Sequence, residues 1–145
     1  MNFWLIKSEP STWSWAEQVQ KKTTSWDGVR NYQAAKNLKA MRIGDLAFFY
    51  HSNIDKKIMG IVRITKEYYP DPTDETRRFG MVDVEHVVAL SNPISLATIK
   101  ENQKLNHLPL VYQSRLSVMP IDKEAWNLIC EEGGVPPQKL MAKNN

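Results

Sequence analysis

The sequence predicts an α+β domain in which a curved, mostly antiparallel β-sheet closes towards a barrel and is flanked by short helices. Three observations lead there. At least five segments read as strands, the helical segments between them are short, and the two kinds do not alternate strictly, which argues against a doubly wound parallel sheet. The 145 residues suffice for one domain with one core, and 42% hydrophobic with 24% charged residues is the balance of a folded globular chain. With this many strands, curvature towards closure also hides sheet edges.

Taken in order, Phe3-Trp4-Leu5-Ile6 is a short apolar run suited to a strand buried on both faces. Ser14-Trp15-Ala16-Glu17 matches a capping box and predicts a short helix ending near Lys21 or Lys22. From Asn31 to Met41, residues Ala34, Ala35, Leu38 and Met41 fall at helical spacing, with Lys36 and Lys39 off that stripe. Asp45 to Ser52 follows the Gly44 turn and is rich in aromatics, as a central strand would be. Ile58 to Lys66 sets Val62 and Ile64 against Arg63 and Thr65, and Met81 to Ala89 sets Val82, Val84 and Val88 against Asp83 and Glu85. Ser95 caps a short helix through Lys100. Arg115 to Met119 predicts a strand with Leu116 and Val118 inward and Arg115 and Ser117 opposite. Asp122 then caps a helix with Trp126, Ile129 and Cys130 as its apolar stripe, and Gly133 stops it. The domain is expected over residues 1–134, followed by a weakly held tail from Val135 to Asn145 that has Leu140 and Met141 as its anchors.

Composition removes several function classes. No apolar run approaches the ~20 residues of a membrane span, and Lys7 interrupts the opening apolar residues too early for a secretory signal. A single cysteine forms no internal disulfide, which suits a reducing compartment: cytoplasmic, or nuclear in a eukaryote. The net charge of +3 tolerates a polyanionic partner without singling one out. There is no phosphate-cradling glycine pattern, and His51, His86, His107 and Cys130 lack metal-ligand spacing, so neither metal nor cofactor is expected. Cys130 sits on a helical apolar stripe, where a structural role is the expectation.

The segment Trp26-Asp27-Gly28-Val29-Arg30-Asn31-Tyr32-Gln33-Ala34 stands out. A large aromatic beside an Asp-Gly turn signal leads straight into a helix start, whose free N–H groups suit a carbonyl oxygen or a phosphate. Arg30, Asn31 and Gln33 add planar hydrogen-bonding groups of the kind that read base edges. Two readings stay open. Trp26 either stacks on a base or plugs the core, and Asn31 either reads an edge or only caps the helix. Lys36, Lys39 and Arg42 either meet phosphates or solvate the outer face of the helix.

The chain resembles the EVE domain family in five blocks that occur in order. These are Phe3 to Pro10, Trp26 to Ala34, Gly44 to Ser52, Tyr69-Pro70-Asp71-Pro72, and Gln113 to Pro120, so the likeness spans nearly the whole chain. The resemblance implies a PUA-like fold, similar to the YTH readers of methylated RNA. It also implies recognition of modified bases in DNA or RNA, modified cytosines foremost, with no catalysis. Carried over position by position, it implies a pocket lined by Lys7, Ser8, Trp26, Arg30, Asn31, Tyr32, His51, Ser52, Tyr69, Arg115 and Ser117. The chain departs from many relatives at Arg78-Phe79-Gly80-Met81, where they place a tryptophan before the Val-Asp-Val strand.

Three functions follow for test. The first is a monomeric module that holds one nucleic-acid base on Trp26 and does no chemistry. The second is a hydrolase or transferase acting on a nucleotide or small molecule, with Ser8 or Ser52 activated by His51, although no Gly-x-Ser-x-Gly elbow supports it. The third is a protein- or metabolite-binding module.

Overall fold

The computed structural model describes residues 1–135 and 140. Strands β1 (Phe3–Ser8), β2 (Thr23–Ser25), β3 (Leu46–His51), β4 (Lys57–Pro70), β5 (Gly80–Ser95) and β6 (Val118–Ile121) form one sheet in the order β2-β5-β4-β3-β1-β6. β1 runs parallel to β3, with Phe3 beside Leu46 and Ser8 beside His51, and the other pairings are antiparallel. The helices are α1 (Trp15–Lys21), α2 (Tyr32–Ala40), α3 (Leu96–Glu101), α4 (Pro109–Tyr112) and α5 (Lys123–Glu132). The sheet is thus α+β and mostly antiparallel, but it is not closed into a barrel: β2 and β6 are its edges. β2 is only three residues long and β6 carries Pro120, and both traits suit an edge.

β3 is buried at every position because both faces of the sheet are covered. On one face Phe48 stacks on Trp126 of α5 at 3.9 Å, and Trp126 stacks in turn on Phe3 at 4.5 Å. On the other, Phe49 meets Trp15 edge-on at 5.2 Å and Trp26 edge-on at 5.5 Å. The Trp15 indole lies directly over Gly60 of β4; a β-carbon there would come within 2.2 Å of its Cζ2. Only a residue without a side chain leaves room for that ring.

The predicted caps form as the local chemistry requires. The Ser14 hydroxyl accepts from the Glu17 N–H at 3.1 Å, and the Glu17 carboxylate accepts from the Ser14 N–H at 3.0 Å. Asn31 and Asp122 cap α2 and α5, accepting from the Ala34 and Ala125 N–H groups at 2.9 and 3.1 Å. Buried Asp45 accepts from the Trp4 indole N–H at 3.0 Å and from the N–H groups of Asn2 and Arg42, which ties β1 to the turn before β3.

Other expectations are corrected. β2 and α4 carry no periodic signal and were not expected; β2 exists because Thr23, Thr24 and Ser25 pair with Glu85, Val84 and Asp83 of β5. The last strand starts at Val118, not Arg115, because the Leu116 N–H closes a turn onto the Gln113 carbonyl at 3.0 Å and removes Arg115 from the sheet. Arg63 does lie opposite Val62 and Ile64, but that face is covered too. It is 6% exposed, 3.6 Å from Glu85, and donates to the Leu140 carbonyl at 3.4 Å. Of the expected tail, Val135 is buried and Leu140 packs on the core; the rest lies outside the described residues.

Candidate functional site

Where β1 ends, β2 ends and α1 turns back, a cleft of about 570 Å³ opens. β1 contributes Lys7 and Ser8 to its lining, and the loop into α1 contributes Glu9, Thr12 and Trp13. Lys21 comes from the last turn of α1, Thr24 and Ser25 from β2, and Trp26, Asp27 and Gly28 from the segment that follows.

Local bonding fixes each wall. The Thr12 and Trp13 N–H groups both donate to the Glu9 carbonyl at 2.9 Å, and the Ser8 hydroxyl donates to the Trp13 carbonyl. The Trp13 indole N–H donates to the side-chain oxygen of buried Gln18 at 2.9 Å, and the Lys21 ammonium lies 5.7 Å from the ring centre. Trp26 continues the β2 pairing by donating its N–H to the Val82 carbonyl at 2.7 Å. The residue is only 8% exposed, so its ring serves the core through Phe49 while its remaining surface lines the cleft. Gly28 has φ +81°, a left-handed turn that glycine adopts without strain.

Asp71 holds this turn from behind. Its buried carboxylate accepts from the Gly28 N–H at 2.8 Å, Arg30 Nη1 at 3.0 Å, the Thr73 N–H at 2.8 Å and the Thr73 hydroxyl at 2.6 Å. Burial by itself would raise the pKa of this acid, but the bonds from Thr73, Gly28 and Arg30 outweigh it and hold it down to about 2. Tyr69 buttresses β2: its hydroxyl donates to Asp83 at 2.5 Å and lies 3.1 Å from the Ser25 hydroxyl. Burial, then the bond to Asp83, push the Tyr69 pKa up. Lys7 donates from its ammonium to the Ser114 carbonyl at 2.9 Å, and partial burial lowers its pKa. Cationic Lys7 and Lys21 share the cleft with the carboxylates of Glu9 and Asp27, so it offers donors and acceptors together with two indole rings.

Of the residues chosen from sequence, Lys7, Ser8 and Trp26 line this cleft. Asn31 and Arg115 instead line a separate shallow groove of about 300 Å³. Arg30 turns to Asp71 and Thr73, and Tyr32 is exposed, lying 5.0 Å from the Phe79 ring. His51 is buried; its Nε2 accepts from the Trp15 N–H at 2.9 Å, so Nδ1 carries the proton that bonds Asp55 at 2.8 Å. The Ser52 N–H donates to the Ser8 carbonyl at 2.9 Å, and the Ser117 carbonyl accepts from the Lys7 N–H at 2.9 Å. Tyr69 stands behind Ser25. Sequence reasoning missed Glu9, Thr12, Trp13, Lys21, Thr24, Ser25 and Asp27 as lining residues. Trp13 had a signal, since it immediately precedes the capping-box serine; that α1 carries Lys21 back to its ring did not. Among the described residues, no group of three His, Cys, Asp or Glu side chains gathers to hold a metal ion.

Comparison with known proteins matches the EVE domain to residues 2–132. Rat thymocyte nuclear protein 1 is 37% identical over 88% of this chain and 72% of its own length. Among solved structures, a protein from Agrobacterium tumefaciens superposes with a TM-score of 0.91 at 44% identity, covering 94% of this chain and 97% of that one. The human THYN1 protein, solved in complex with DNA containing 5-methylcytosine, superposes at 0.82 with 33% identity, covering 94% of this chain and 100% of that one. A YTH domain from Zygosaccharomyces rouxii shares the fold at 0.56, with 16% identity.

Proposed function

The chain belongs to the EVE domain family, and from that premise we propose that it is a monomeric nucleic-acid-binding module whose cleft holds one modified base, a modified cytosine first. The observation that carries this reading is the cleft itself, where Trp13 and Trp26 supply aromatic faces among Lys7, Lys21, Glu9 and Asp27. The likeness to a human protein solved with 5-methylcytosine DNA supports it.

The chemistry fits a flipped or single-stranded base. Stacking on an indole is worth ~1–3 kcal/mol per base and tolerates any base, so the edges must select. Cytosine presents an amino group that a carboxylate accepts, as Asp27 or Glu9 offers, and acceptor atoms that Lys7 or a cleft hydroxyl can meet. Burying its methyl gains only ~0.8 kcal/mol, so strong preference requires a shaped recess or a clash against other substituents.

The module performs no reaction in this reading. Support comes from His51, both of whose ring nitrogens are engaged by Trp15 and Asp55, and from the Ser8 hydroxyl, which is committed to the Trp13 carbonyl. A serine nucleophile needs a free base within hydrogen-bond reach. In a eukaryotic cell the nucleus would be the place for such a module, and elsewhere the cytoplasm.

The deciding experiment is a binding panel of short oligonucleotides at one moderate salt concentration, varying cytosine modification, sugar and strandedness, with Trp13→Ala alongside. Tighter binding of one modified base, lost in that variant, is the expected result. Equal and weak binding of every oligonucleotide by the wild type would overturn the reading.

A further inference from the structure

The shallow groove beside the cleft has chemistry of its own. It is lined by Asn31 and Gln33 at the start of α2, by Tyr112 at the end of α4, and by Gln113, Ser114, Arg115 and Leu116 beyond it. Tyr112 is 72% exposed, which leaves its ring open to a stacking partner. Among the described residues Arg115 makes no hydrogen bond or ion pair, and no carboxylate lines the groove, whereas Glu9 and Asp27 line the cleft. A phosphate is therefore repelled less in the groove than at the acidic side of the cleft.

The groove and the cleft meet at Lys7. Lys7 lines the cleft, and its ammonium donates to the carbonyl of Ser114, a residue that lines the groove. One bond leaves an ammonium two further donors. The backbone links the two hollows as well, since Gly28 lines one and Asn31 the other.

Resting on the base-holding reading above, we propose that this groove is a second nucleotide subsite. It takes the nucleotide adjacent to the one in the cleft, with its base on the Tyr112 ring, its phosphate at Arg115, and Lys7 spanning the phosphate between the two. The occupant has to be flat and anionic, because beside Leu116 the groove offers an exposed ring, side-chain amides and an unpaired guanidinium. The cleft then selects the modified base, while the groove supplies affinity for the strand and tolerates sequence.

The test compares wild type, Trp13→Ala and the double variant Tyr112→Ala/Arg115→Ala. The first probe is the free nucleoside 5-methyl-2′-deoxycytidine, titrated by NMR. The second is a seven-nucleotide single strand with one central 5-methylcytosine, followed by fluorescence anisotropy across salt concentrations. The double variant is expected to bind the strand about tenfold or more weakly, with its salt slope reduced by roughly 0.7, while its nucleoside affinity stays close to wild type. Arg115→Lys restores the salt slope, since it returns the charge. Trp13→Ala weakens both probes. If the double variant matches wild type on the strand, or loses the nucleoside in equal measure, the second subsite is wrong. If wild type binds neither probe, the base-holding reading fails and the subsite falls with it. The side chains of Tyr112 and Arg115 are exposed, so thermal melting of the double variant is expected to match wild type.

Discussion

Replacing Asp71 with asparagine is the most searching single perturbation of the cleft, because it keeps the shape and removes the charge. Two routes give its cost. The carboxyl sits at about 2 against an ordinary 3.8, and at about 1.4 kcal/mol per pKa unit that favours the folded state by ~2 kcal/mol at neutral pH. Independently, one carboxylate oxygen receives the Gly28 N–H and Arg30 Nη1, and the other receives the Thr73 N–H and hydroxyl. An asparagine must turn its NH₂ towards one of these pairs, leaving a buried N–H without an acceptor at a cost of ~1–3 kcal/mol. The routes agree. For a domain of this size, the melting temperature of Asp71→Asn should fall by roughly 4–8 °C at pH 7.

The pH dependence distinguishes this account from simple loss of packing. A carboxyl whose pKa is depressed by folding stabilises above its unfolded pKa and ceases to do so as pH falls through its folded one. The gap between wild type and Asp71→Asn should therefore be full above about pH 5, and should narrow between 3.8 and about 2. Urea unfolding at several pH values measures both chains under the same conditions. Equal stability at pH 7, or a gap as wide at pH 3 as at pH 7, would refute the reasoning.

Four further outcomes are expected. Gly60→Ala drives a methyl into the Trp15 indole, where only 2.2 Å is available, and should cost ~1–3 kcal/mol of stability by calorimetry. Trp26→Ala should lower stability by ~3–5 kcal/mol as well as weakening oligonucleotide binding, because its ring is buried against Phe49. The half-buried Trp13 should lose binding with a smaller loss of stability, and parallel melting and binding curves separate the two. Burial pushes the Cys130 thiol up to about 12, so a maleimide at pH 7 should label it only after unfolding; rapid labelling of the native protein would contradict that burial.

Much of the fold was legible because its signals are local. Ser14 with Glu17, and Asn31, Ser95 and Asp122 as caps, act within three residues of themselves, so the helix starts follow from composition and spacing. The buried runs in β1 and β3 were legible for the same reason. Trp26 was ambiguous in sequence because an indole has more than one surface; in the structure it meets Phe49 edge-on while its remaining surface lines the cleft. Arg63 lies on the face that the alternation assigns it, but alternation does not report whether that face is covered, and here it is.

Sequence by itself determined the starts of α1, α2, α3 and α5, the central strands, the absence of long apolar spans, and the likeness that named Lys7, Ser8 and Trp26. Tertiary structure alone decided that Trp13 and Lys21 join them, that Arg115 faces a different hollow, and that β2 exists at all. The physical reason is range. A cap is satisfied by a neighbour one turn away, but the cleft is held by bonds such as Gly28 to Asp71 and Lys7 to Ser114, which span 43 and 107 residues. Such partners meet only once the sheet has brought their strands together.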